Sequence, residues 1–197
     1  MPNAKKLLLL SCCAPCSGGV LSRAAALGLD VTLLFYNPNI YPLSEYEKRR
    51  DEQKRACAHF GIHFVELPYE PQEWERLVTG LENEPERGKR CSVCFFMRLK
   101  KAAQYAKEHG FEEISSVLGV SRYKDMEQVN AAARAACAQE GVVYNETNWR
   151  RNGLEEARRA VWKELNFYSQ QYCGCRFSLQ AAQNRGKKEK EDVCFKK

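Results

Sequence analysis

Seven of the ten cysteines in this 197-residue chain fall in three tight groups, Cys12-Cys13-x-x-Cys16, Cys91-x-x-Cys94 and Cys173-x-Cys175, spread along the whole sequence. A lone thiol behaves as a small hydrophobe, whereas close pairs put several sulfurs within reach of one ion, and folding can unite pairs that are distant in sequence. The pattern is that of metal or redox chemistry. Cys57, Cys137 and Cys194 stand alone and are read as inert.

A secreted disulfide framework would also explain an even count, but a chain of this length buries enough core to need no staples. Structural zinc is a second reading, because Cys13-x-x-Cys16 and Cys91-x-x-Cys94 supply four sulfurs for a tetrahedral site. The adjacent Cys12-Cys13 pair and the third group leave more thiols than a closed zinc site uses. An iron–sulfur cluster takes four thiolates as well and, unlike zinc, carries electrons.

The elements that must position these thiols alternate. Leu7 to Leu10, Val31 to Tyr36, His63 to Leu67, Ile114 to Val120 and Val142 to Tyr144 read as short strands. Helices are expected over Gly18 to Ala26, Ser44 to His59, Gln72 to Thr79, Cys91 to Glu108, Met126 to Gln139 and Leu154 to Leu165. Glycines 28, 61, 110 and 141 close four of them. The alternation predicts an α/β fold, a Rossmann-like open parallel sheet with helices on both faces, in one domain over residues 1–180 with a charged tail at 181–197. Ligands of such sheets sit beyond the carboxyl ends of the strands, and Cys12, Cys13 and Cys16 follow the first strand directly.

Net charge is +6, from 31 basic and 25 acidic residues, a weak sign of a polyanionic partner. The apolar run after Lys5-Lys6 is four residues long, short of a signal core of about 7–15. No segment reaches the 18 or so needed to span a bilayer. A cytoplasmic protein without a membrane partner is expected.

Two loops could bind substrate. Ser17-Gly18-Gly19, placed at a helix start, could cradle a phosphate or simply form a tight turn. Tyr36-Asn37-Pro38-Asn39-Ile40-Tyr41-Pro42 is stiffened by two prolines and offers tyrosines and asparagines able to stack on and hydrogen-bond to a base. The alternative is a rigid connection between strand and helix.

Cys12-Cys13-Ala14-Pro15 after an apolar strand, Tyr36 to Pro42 followed by Glu45-Tyr46, Arg90-Cys91-x-x-Cys94, and Gln171-Tyr172-Cys173-Gly174-Cys175-x-Phe177-Ser178 occur in this order in the QueH-type epoxyqueuosine reductases. The chain resembles that family up to about Ser178. The resemblance implies a Rossmann-like enzyme acting on tRNA that carries epoxyqueuosine at the wobble position of the anticodon, reducing the epoxide to the alkene of queuosine, the last step of that pathway. It implies that Cys12, Cys13, Cys91 and Cys94 hold a [4Fe–4S] cluster, with Cys173 and Cys175 as a second redox or metal element. Cys16 stands where some members carry aspartate. Tyr36, Asn37, Asn39, Tyr41 and Tyr46 are the expected substrate contacts. At Gly119 to Lys124 the chain departs from a Thr-rich stretch that ends Ser-Pro-x-Lys-Asn in many relatives.

Forming an alkene from an epoxide takes two electrons and at least one proton, and a cubane delivers one electron at a time. A second element is therefore required. The Cys173-Gly174-Cys175 pair is one candidate, since its disulfide would close a small, easily reduced ring. A second metal, iron or zinc, on Cys16, Cys173 and Cys175 is the other, acting as a Lewis acid. An external electron donor is implied in either case. A different reaction class, the ATP-dependent tRNA thiolases of the PP-loop type, shares a strand followed by Ser-Gly-Gly, but there the loop continues to an acidic residue and a serine, against Val20-Leu21-Ser22 here. A zinc-bearing tRNA-binding module without catalysis is the third reading.

Overall fold

The computed structural model describes residues 6–121 and 124–194, with side chains through Arg185. Five strands, β1 (Leu7–Ser11), β2 (Val31–Phe35), β3 (His63–Glu66), β4 (Glu113–Ser116) and β5 (Val143–Tyr144), form one parallel sheet in the order β3-β2-β1-β4-β5. β1 and β2 are nearly continuous apolar runs, broken only by Ser11 and Thr32, because helices cover both faces of a parallel sheet. Leu8, Leu9, Leu10, Leu33, Leu34 and Phe35 are wholly buried. Leu7 pairs with Val31 on one side and with Glu113 on the other, so the strand order reverses at β1. The crevice beyond its carboxyl end is the expected binding position.

Among the described residues seven helices surround the sheet: α1 (Ala14–Leu27), α2 (Leu43–Phe60), α3 (Pro71–Leu77), α4 (Lys89–Glu108), α5 (Met126–Glu140), α6 (Leu154–Leu165) and α7 (Arg176–Cys194). Right-handed crossovers put α1 and α2 on one face and α4 and α5 on the other. α6 packs on α1, and α3 on α4. Cys57 and Cys137 are buried in α2 and α5. Among the described residues no helix is long and apolar enough to cross a membrane.

Three boundaries differ from expectation. α1 begins at Ala14 rather than Gly18, because extended Cys13 caps it and Pro15 stands in its first turn, where a missing N–H is harmless. Ser17, Gly18 and Gly19 are consequently inside the helix, so neither a phosphate cradle nor a tight turn is present there. The strand expected to reach Val120 ends at Ser116, where the Ser116 hydroxyl accepts the Leu118 N–H and a 3-10 turn, Leu118–Val120, begins. α7 was not anticipated and runs through the 180/181 position.

The α1 glycines serve helix contact. A Cβ on Gly19 would lie 2.7 Å from the Arg158 nitrogen and 2.7 Å from the Leu154 oxygen, backbone atoms of α6 that cannot give way singly. At Gly18 the obstacles are side-chain atoms of Val161 and Phe167 at 3.0 and 3.1 Å. Gly19→Ala is therefore expected to destabilise by about 1–3 kcal/mol of overpacking, and Gly18→Ala by less. Urea midpoints measure both, and an unchanged midpoint for Gly19→Ala would contradict the packing.

Candidate active site

β1 turns polar at its last residue. The Ser11 hydroxyl donates to Gln53 Oε1 at 2.8 Å, and Asn37 Nδ2, just past β2, donates to the Ser11 carbonyl at 3.0 Å. The ends of the two central strands are thus tied together. Cys12 and Cys13 follow, and Cys16 lies in the first turn of α1, all three buried. The Cys12 and Cys13 sulfurs are 3.8 Å apart. Gln170 Nε2 donates to Cys13 Sγ at 3.0 Å, and Lys124 Nζ to Cys12 Sγ at 3.5 Å.

This arrangement sorts the protons. Hydrogen bonds from Cys13 and Cys16, aided by Lys124 and Arg98, hold the Cys12 thiol well below its ordinary pKa despite burial. The same bonds push Cys13 up to about 12 and Cys16 well above the usual range. Burial alone would discharge Lys124, but the negative charge on Cys12 beside it holds its pKa above the ordinary lysine value. Among the described residues it forms no ion pair with a carboxylate, and sulfur is its partner.

The second thiol group lies near the start of α4. Cys91 and Cys94 are one turn apart and share a face of the helix with Arg98. Cys91 Sγ accepts the Arg87 N–H at 3.3 Å. Burial pushes Cys94 up to about 12 and raises Cys91 as well. Arg98 is buried and donates Nε to the Tyr36 carbonyl at 3.2 Å and its terminal nitrogen to Asn37 Oδ1. Arg90 binds the Leu81 and Glu82 carbonyls and covers the Phe177 ring at 4.3 Å, which anchors the beginning of α7.

The third group is held from α2. Arg49, 1% exposed, donates to Glu45 Oε1 at 2.8 Å, to the Cys173 carbonyl at 2.9 Å and to the Tyr172 carbonyl at 3.1 Å. The second Glu45 oxygen accepts the Tyr168 hydroxyl at 2.8 Å. Gly174 has φ of 140°, a conformation that glycine tolerates, and a Cβ there would press on Ile40 at 3.1 Å. Its carbonyl accepts the Tyr41 N–H at 2.8 Å. The Ser178 N–H donates to Cys175 Sγ at 3.4 Å.

The three groups converge. Cys12, Cys16 and Cys173 line a cavity of about 590 Å³ together with Lys124, Arg150 and Arg158. Cys173 and Lys124 also line a gap of about 20 Å³ with Cys91 and Cys175. The carboxylate in the larger cavity, Glu155, is held ionised, with a pKa of about 2, by its hydrogen bond from Arg158, then by Arg159. Among the described residues no three Cys, His, Asp or Glu side chains are arranged to hold a single metal ion. The donor set is nonetheless sulfur, faced by a buried cation that has no carboxylate partner. That chemistry fits thiolate-bound iron–sulfur rather than a hard cation.

The expected substrate contacts separate. Tyr36, Asn37, Asn39 and Tyr46 are buried, whereas Tyr41 is 51% exposed. The Tyr36 hydroxyl donates to Glu73 at 3.5 Å and that of Tyr46 to Glu66 at 3.0 Å. Tyr172 donates its hydroxyl to the Tyr41 carbonyl. Gln170 and Arg49 were not foreseen as parts of the site, whereas Glu45 stands in the motif after the proline loop and Lys124 ends the stretch that departs from relatives. The Glu45–Arg49 pairing left one trace, an i,i+4 spacing that usually marks a solvated pair. Arg122 and Tyr123, in the stretch that departs from relatives, lie outside the described residues.

Fold and site together define a Rossmann-like protein with a thiol-rich centre at the switch point of its sheet. Residues 7–181 match the family model for epoxyqueuosine reductase QueH. Over 175 residues the chain is 50% identical to the epoxyqueuosine reductase QueH of Histophilus somni, covering 88% of this chain and 72% of that protein. It is 47% identical over 178 residues to the one from Acinetobacter baylyi, covering 90% and 82%. With the Thermotoga maritima protein of the same name the identity is 34% over 176 residues, covering 88% and 90%. The chain belongs to the QueH family of epoxyqueuosine reductases.

Removing Arg49 would strand a buried carboxylate and two carbonyls. Arg49→Met is expected to lower stability by about 3–5 kcal/mol and to speed alkylation of Cys173 by releasing its turn. Urea unfolding and timed thiol labelling measure these, and a loss under about 0.5 kcal/mol would contradict the assignment.

Proposed function

We propose that this chain reduces epoxyqueuosine to queuosine at the wobble position of tRNA anticodons, the last step of queuosine biosynthesis, in the cytoplasm where tRNA resides. Cys12, Cys13, Cys91 and Cys94 would hold a [4Fe–4S] cluster. Cys16, Cys173 and Cys175 would hold a second metal, iron or zinc, beside it; otherwise Cys173 and Cys175 act as a redox thiol pair. The observation that carries this reading is that the first and third cysteine groups line one cavity, the second and third line the gap beside it, and Cys173 and the buried Lys124 belong to both, in a chain that belongs to this reductase family. When bound, these groups supply single electrons and a Lewis-acidic position for an epoxide oxygen.

The chain's own residues do the rest. Arg150, Arg158 and Arg159 make the cavity mouth positive, suited to the phosphates that flank a wobble nucleotide. Glu155 aligns Arg158 and Arg159 through bonds of 2.7–3.1 Å. Tyr41, the exposed aromatic of its loop, would stack on a base. Gln170 orients Cys13 Sγ, and Lys124 Nζ offsets the negative charge that builds on the thiolates. Conversion of the epoxide consumes two electrons and two protons, and its oxygen leaves as water. The electrons come from an external donor.

Alanine at Cys12, Cys13, Cys91 or Cys94 is expected to remove iron, colour and activity together. Alanine at Cys173 or Cys175 should leave the cluster's visible absorption largely intact while abolishing epoxide reduction in a single turnover. Iron analysis and spectra of the six variants test the division, and full cluster occupancy in all of the first four would sink it.

A further inference from the structure

A second groove, of about 600 Å³, lies between α3 and α4, on the sheet face opposite α1 and α6. Leu77, Val93 and Phe96 give it an apolar floor, and Arg76, Lys100 and Lys101 frame it. Several cations elsewhere on the surface are matched: Arg55 with Glu52, Arg134 with Glu127 and Glu146, Arg158 with Glu155. Among the described residues Arg76, Lys100 and Lys101 enter no ion pair. The carboxylate in the groove, Glu73, accepts the hydrogen bond from Tyr36 instead.

An apolar floor inside an uncompensated positive frame complements an acidic protein surface with an apolar centre, since interfaces pair a desolvated core with matched rim charge. A nucleic acid backbone would satisfy the frame but leave the floor uncovered. The position is also informative. Val93, Phe96 and Lys100 form one stripe of α4, while Cys91, Cys94 and Arg98 form the stripe on its opposite side, turned to the thiol centre. A helix with its side chains is about 10–12 Å across, so only α4 separates the groove from the sulfurs.

We propose that this groove docks an acidic one-electron carrier protein, of the ferredoxin or flavodoxin class, which passes electrons across α4 to the thiol centre while tRNA occupies the cavity on the other face. The proposal rests on the reading of the thiols as a redox centre. Each turnover oxidises two carriers by one electron each. Both carbon–oxygen bonds of the epoxide break, the oxygen leaves as water with two protons, and the electron pair becomes the new π bond.

The test compares the wild-type holoenzyme with the Lys100→Glu/Lys101→Glu and Lys100→Arg/Lys101→Arg double variants. Three quantities are measured: the Kd for a flavodoxin and for a ferredoxin, the Kd for tRNA, and single-turnover rates with either reduced carrier or with dithionite. For the Glu pair, carrier affinity and the carrier-driven rate are expected to fall about tenfold or more, as for charge reversal at a steered interface. The tRNA affinity and the dithionite-driven rate should stay within about twofold, and the Arg pair should behave as wild type. Unchanged carrier binding in the Glu pair, or no carrier binding to wild type, overturns the proposal. So does a matching loss of tRNA affinity, which would make the groove a phosphate surface. A wild-type protein whose absorption dithionite does not bleach is a separate failure, that of the redox reading itself.

Discussion

Ionised sulfur in a dry interior requires positive charge beside it, and this requirement organises the molecule. A thiolate buried without a partner would take back its proton, since desolvation favours the neutral form. Here Cys12 keeps a low pKa because two neighbouring thiols donate to it and Lys124 stands at 3.5 Å. Each buried cation then needs satisfaction of its own. Arg98 finds it in the Tyr36 carbonyl and Asn37, and Arg49 in Glu45 and the carbonyls of Tyr172 and Cys173. The loop after β2 and the turn that carries the last two thiols are fixed by the hydrogen bonds that satisfy these two arginines.

The fold brings this within reach at modest length. A parallel sheet whose strand order reverses at β1 leaves a crevice at that strand's carboxyl end, and four chain segments remote in sequence meet there. α6 closes one side only because Gly18 and Gly19 let it approach the α1 backbone. That contact also carries Arg158 to the cavity, where it reaches the Pro15 carbonyl at 3.4 Å. Substrate access and electron access can then lie on opposite faces, with the sulfurs between.

Much of this was legible in the residues. Leu7 to Leu10 and Val31 to Phe35 announced buried parallel strands, and the cysteine spacing announced a centre. The parts that could not be read share a cause. Asn37, Asn39 and Tyr46 read as groups that a loop offers to substrate, yet all three are buried; Asn37 donates to the Ser11 carbonyl and accepts from Arg98, and Tyr46 donates to Glu66. Lys124 stood out only as the end of a stretch that departs from relatives, because a lysine without an apolar period around it looks solvated and its sulfur partner is 112 positions away. Ser17-Gly18-Gly19 read as the start of the helix rather than a part of its body since glycine is a poor helix former, and the approach of α6 explains two glycines inside α1. α7 was missed because its charged sequence shows propensity without an apolar stripe.

The central claim is that these thiols form one iron–sulfur redox centre. Iron, zinc and acid-labile sulfide measured on protein purified without oxygen test it most directly. The account predicts about four sulfides and four irons per chain, with one further thiol-bound metal and a visible absorption that dithionite bleaches. One zinc per chain with neither sulfide nor bleaching would contradict it.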